Sequence, residues 1–127
     1  MAAAKWSNDN VMDAALDYIA TATRLYVITN SVSATPTFEE VSNTCCLADV
    51  TIDSGDFAKS DGTSGRKTTV AAQSSIGVDG DGVAYGVALA IAASSTVVYT
   101  TTCTAQSLVT GNTVTVPAWT IQIGDPT

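Results

Sequence analysis

Histidine is absent from the 127-residue chain. That excludes Ser-His-Asp and Cys-His catalysis, imidazole-held zinc and a titratable switch near neutral pH. Charge is scarce at 13% of residues and lopsided, with 5 basic side chains against 12 acidic ones and a net charge of −7. So few scattered cations leave no footprint for a phosphate backbone, and no nucleic-acid partner is expected. Aromatics are only 6%, too few for the ring-lined cleft of a glycosidase. The opening Met1-Ala-Ala-Ala-Lys5-Trp6 lacks the apolar stretch of a secretory signal. The longest weakly charged run, Val83 to Val98, is broken by Gly86 and Ser94-Ser95-Thr96, so it reads as a hairpin and not as a membrane helix. No membrane partner is expected, and the chain is expected to be made in the cytoplasm and to stay soluble there unless something carries it out.

Cysteine is rare too. Cys45, Cys46 and Cys103 have no metal-ligand spacing, and three cannot all pair within one chain. Three reduced thiols would behave as small hydrophobes. A bridge from Cys103 to Cys45 or Cys46, or a bond between chains in an oxidising medium, are the alternatives. No cofactor or metal is implied.

What remains is Ala, Val, Ser and Thr, in a chain whose apolar residues reach 46%. The length suits a single domain, 1–127, with an N-terminal arm and helix over 1–21 and a β domain over 22–127. Ser7 to Asn10 offers capping side chains, and Met12, Ala15, Leu16 and Ile19 make one apolar stripe at helical spacing. The spacing predicts a helix over 8–21, the only convincing one. Strands are expected at Leu25–Thr29, Cys46–Ile52, Arg66–Gln73, Val83–Ile91 and Thr96–Cys103. In the fourth of these Val83, Tyr85, Val87, Leu89 and Ile91 alternate with Ala84, Gly86, Ala88 and Ala90, one face large and one small. Such a strand packs bulky residues on one side and a close neighbour on the other. Near the end, Val114 and Val116 point one way and Trp119, Ile121 and Ile123 the other, with Pro117-Ala118 at the change of phase. Seven or so strands with frequent turns argue for a mainly β fold: an antiparallel β-sandwich or β-barrel with one short N-terminal α-helix.

Three constellations invite chemistry. Asp79-Gly-Asp81-Gly resembles part of a calcium loop but lacks the remaining oxygen ligands, and Asp-Gly pairs between strands more simply make turns. Asp49, Asp53, Asp56 and Asp61 with Lys59, Arg66 and Lys67 form a charge-dense region, read as a solvated face or a docking surface. Gly62-Thr-Ser-Gly65-Arg66-Lys67 lacks the Gly-Lys-Ser/Thr ending of a phosphate loop and opens a strand. Trp119 fits a core position; Trp6 fits either a staple on the helix or an anchor to a neighbouring subunit.

The stretches Trp6-Ser-Asn-Asp-Asn-Val-Met-Asp-Ala-Ala-Leu-Asp-Tyr-Ile19 and Leu47-Ala-Asp-Val-Thr-Ile-Asp-Ser-Gly-Asp-Phe57 resemble a family of small structural proteins of tailed bacteriophages. Ser64-Gly-Arg-Lys67, Val70-Ala-Ala-Gln73, Tyr99-Thr-Thr-Thr-Cys-Thr-Ala-Gln106, Gly111-Asn-Thr-Val114, Pro117-Ala-Trp119 and Asp125-Pro126 extend the resemblance over nearly the whole chain. It implies a non-enzymatic virion component, and at this size a head decoration (capsid cement) protein. Its partner would then be the major capsid protein, with self-association as a symmetric oligomer, a trimer favoured. A neck, tail or fibre-attachment component is the alternative. Contacts are expected from the arm and helix (Trp6, Asp9, Met12, Leu16) or from the charged loop (Asp56, Arg66, Lys67).

Overall fold

In the computed structural model, which describes residues 7–63 and 65–124, the chain is mainly β, with antiparallel sheets and one N-terminal helix. Helix α1 (Asp9–Ile19) starts where Asn8 accepts from the Asn10 amide through its side chain at 2.8 Å, as the capping residues predict. Its stripe turns inward at Met12 and Leu16. Among the described residues nine strands follow: β1 (Arg24–Ile28), β2 (Cys46–Thr51), β3 (Phe57–Asp61), β4 (Arg66–Val70), β5 (Gln73–Gly77), β6 (Gly82–Ile91), β7 (Thr96–Leu108), β8 (Thr113–Val116) and β9 (Trp119–Ile123).

One layer is the sheet β2-β1-β6-β7; the other is made of β3-β4-β9 and the pair β5-β8. Between them lies the main core, where Leu25, Val27, Val87 and Leu89 meet Val70, Ile76, Val114, Val116 and Ile121, with Leu16 of the helix joining them. A second, smaller core sits on the other face of the four-stranded sheet. There Tyr26, Ile28, Ala88 and Ala90 are covered by Val41 and Cys45, with Phe38 packed alongside. Alternate residues of β1 therefore feed two cores, which is why Leu25–Ile28 is apolar without a break.

The cover of the second core is a π-helical turn, Glu40–Thr44, a short element that the sequence reading does not include, in addition to the one α-helix. Its start is a reciprocal cap: Glu40 N–H donates to Thr37 Oγ1 and Thr37 N–H donates to Glu40 Oε1, both at 3.2 Å. This turn is the close neighbour that the small face of β6 admits. The large face needs correcting. The β6–β7 register shifts between Ala84 and Gly86, so Ala84 joins Val87 and Leu89 in the main core while Tyr85, at 40% accessible, and Val83 face solvent.

Two further differences lie in the second layer. The expected strand over 66–73 is two, because the chain passes from the β4 sheet to the β5 sheet at Ala71-Ala72. At Pro117-Ala118 the change of phase is likewise a change of sheet, from β8 paired with β5 to β9 paired with β4. Proline suits that corner because it has no N–H to leave unpaired. Trp119 is only half-buried there, stacked on Tyr99 with ring centroids 5.9 Å apart.

Candidate interaction surface

The helix and the charged hairpin, expected as separate contact regions, are packed on each other. Arg66 Nε lies 2.9 Å from Asp13 and its Nη1 2.7 Å from Asp61, while Lys59 reaches Asp17 at 2.7 Å. The Asp13 hydrogen bond holds the Arg66 guanidinium above its already high ordinary pKa, so its charge is permanent. Met12 is 3% and Leu16 0% accessible; an apolar stripe that completes its own core offers a partner nothing. Asp56 is also engaged internally, as the last residue of a capping box with Asp53 and as an acceptor for Gln73. Of the other expected contacts, Asp9 is exposed, Lys67 is half-buried on β4, and Trp6 lies outside the described residues.

The acidic pairs are held by different partners. Asp81 accepts from the Thr110 amide at 2.7 Å, which lowers its pKa below the usual carboxylate value. Asp79 hydrogen bonds with Asp49, which raises its pKa, and Asp49 in turn holds Arg24. Asp79-Gly-Asp81 is a turn, but it joins β5 to β6, which are not paired with each other, instead of closing a hairpin. Among the described residues no group of three metal-ligating side chains converges.

All three cysteines are free thiols. Burial pushes the Cys46 thiol up to about 11 and raises Cys103 as well, so neither is a ready thiolate. The in-chain bridge to Cys103, one of the alternatives to three reduced thiols, does not fit the sheet. Cys46 pairs with Ile28, Ile28 with Gly86, and Gly86 with Thr102. Three strand spacings of about 4.8 Å therefore separate Cys46 from the neighbourhood of Cys103, roughly twice the Cα reach of a disulfide.

The least protected surface is the edge at β7. From Gly82 to Gly124 the chain has no Asp, Glu, Lys or Arg, so β6, β7, β8 and β9 make a neutral half of the molecule. This signal is present in the sequence; its meaning depends on which of those strands is an edge. β7 is one, 13 residues long and exposed from Thr102 to Ser107. Between β7 and β8–β9 the sandwich gapes. Two adjoining hollows of about 330 and 440 Å³ share Val87, Cys103, Val116 and Pro117, and Trp119 lines the second. The Trp119 indole N–H is buried and has no acceptor among the described residues.

The edges at β2 and β3 are guarded, and those at β8 and β9 are uncharged but only four and five residues long. Leu47 of β2 accepts from the amides of Asp79 and Gly80, and Ala48 bridges to Val78. β3 carries Lys59 and Asp61. Charge and cover are the usual defences of a sheet edge; β7 carries no charge and, among the described residues, has no cover. Its only blunting is two register shifts against β6, one at Val98 and one across Cys103–Ala105, which leave Tyr99–Thr102 regular. No family model, curated protein or solved structure matches the chain.

Proposed function

We propose that the chain is a non-enzymatic structural protein of a tailed-phage virion, decorating the outer capsid surface and stabilising the expanded head. Beyond the resemblance, one observation supports this reading: the separation of charge. Arg24, Lys59 and Arg66 are each tied to an aspartate, while Asp9, Glu39 and Asp53 stay exposed. The half that carries the charges is therefore acidic at its surface. Such a surface complements basic patches on a capsid lattice and repels packaged DNA. Binding to one state of the shell stabilises that state by mass action, and repetition over the lattice multiplies a weak contact.

Quantitative gel densitometry of purified virions, calibrated against the major capsid protein, tests the reading. The expected result is about one copy per capsid subunit. A count of roughly a dozen, as a single symmetric ring would give, favours a neck, tail or fibre-attachment component instead. Absence from the particle overturns both. Because the proposed contact is electrostatic, detachment from expanded heads is expected to rise with ionic strength.

A further inference from the structure

We propose that β7 is a self-pairing edge, through which two copies of the chain join antiparallel along Tyr99–Thr102 and extend the four-stranded sheet across a two-fold axis. The occupant is a second copy because of charge. Each copy carries −7, so most approaches of two copies bring acidic faces together. Screening reduces that repulsion beyond about 8 Å at physiological salt but not at contact. The neutral half is the region where two copies meet without it, and β7 is the long open edge within it.

The backbone supplies the attraction. An edge strand presents unpaired N–H and C=O groups along one side, and another strand satisfies them. Thr100 and Thr102 are exposed, and Tyr99–Thr102 pairs with Leu89–Gly86 of β6 without a shift. It is a straight, β-branched, uncharged segment without proline, which is the composition that favours strand pairing. The bulge over Cys103–Ala105 limits the pairing on one side and the shift at Val98 on the other, so the contact is short and self-terminating.

Symmetry sets the number. One edge serves both copies only about a two-fold axis; a ring of three requires β7 to meet a different edge. The three-fold assembly implied by the resemblance gives way here to a pair. This inference does not rest on the virion reading, since purified protein alone tests it.

Light scattering on the purified full chain under reducing conditions is expected to give twice the 12.9 kDa chain mass, unchanged in high salt. Thr100→Lys and Thr102→Lys each place a cation within the seam, and the one nearer the axis, brought opposite or diagonal to its own copy, is expected to weaken the pair by at least roughly tenfold. Circular dichroism of these variants should match the parent, since both side chains are exposed, and any deficit in melting temperature should shrink on dilution, as the parent pair itself dissociates. In a Cys103→Ser background, single cysteines placed at 100, 101 and 102 should cross-link under mild oxidant at the position nearest the axis, with peptide mapping identifying the bond. A monomer at micromolar concentrations, a trimer, a pair indifferent to both lysines, or cross-links at none of the three positions overturns the proposal.

Discussion

Thr68 sits in the middle of β4 with 0% accessibility, and its hydroxyl has no hydrogen-bond partner among the described residues. A buried hydroxyl without a partner bears a desolvation cost that its methyl group does not offset. Thr68→Val keeps the shape and removes the orphan, so it should stabilise the protein by about 1 kcal/mol, or about 3–5 °C in melting temperature. A fall in melting temperature would show that the hydroxyl is satisfied in solution. Two glycines give the opposite case. Gly65, at φ +77°, closes the β3–β4 hairpin, and a Cβ there would stand 2.0 Å from the Ile123 carbonyl oxygen. Gly111, at φ +93°, has nothing within 4 Å of the same position. Gly111→Ala should therefore cost only the strain of a left-handed residue, about 1 kcal/mol, whereas Gly65→Ala adds a backbone collision and should cost about 2–4 kcal/mol. Urea midpoints of the two variants check the ranking.

Among the elements, α1 depends on the hairpin beneath it. Met12 and Leu16 give it an apolar seat, and Arg66 clamps it by reaching Asp13 from β4. Arg66→Met should lower the melting temperature and speed amide exchange in α1, with the loss shrinking in high salt. Asp13→Asn should reproduce much of that loss, and the double variant should lose less than the two singles together, as coupled partners do. Full additivity would mean that the pair contributes nothing to the seat. The elements that could be read from the sequence are those with dense apolar signals: α1 by its stripe, β1 by its unbroken run, β2, β6 and β7 by their β-branched residues. β3 escapes that reading because Ala58 to Asp61 are exposed and only Phe57 is half-buried. β5 escapes it because Ile76 is its one buried side chain. The turn over the second core did leave a mark, Thr37-Phe-Glu-Glu40 ahead of Val41, which is a capping box opening a helix. The contact residues were the least legible. An amphipathic stripe looks the same whether it meets its own domain or another chain, and only the packing of Met12 and Leu16 decides between them.

For the molecule as a whole, the uneven charge makes acid response a test of how its carboxylates are held. Asp81 and Glu40 accept backbone N–H groups, from Thr110 and Ser33 respectively, and both are held below the usual carboxylate value. Their contribution to stability is present above that value and is lost as pH falls through their lowered pKa values. Asp79 works the other way. Its hydrogen bond with Asp49 favours the protonated form and raises its pKa, while the nearby Arg24 only partly offsets this. A raised carboxyl contributes stability that is fully present below the usual carboxylate range and is lost as pH rises through the raised value. At neutral pH the turn into β6 thus holds two carboxylates side by side, in a molecule already at −7. Asp79→Asn keeps a hydrogen-bond donor for Asp49 and removes the like charge. It should raise the melting temperature at pH 7, by about 0.5 kcal/mol or less because Asp79 is exposed to solvent. The advantage should fade as pH falls below the usual carboxylate range, where the parent Asp79 is protonated as well. Melting curves of parent and variant across that range check the sign. A variant that is less stable at neutral pH, or whose advantage is the same at every pH, would show that the two carboxylates do not share a proton and that the turn is held by its Leu47 hydrogen bonds alone.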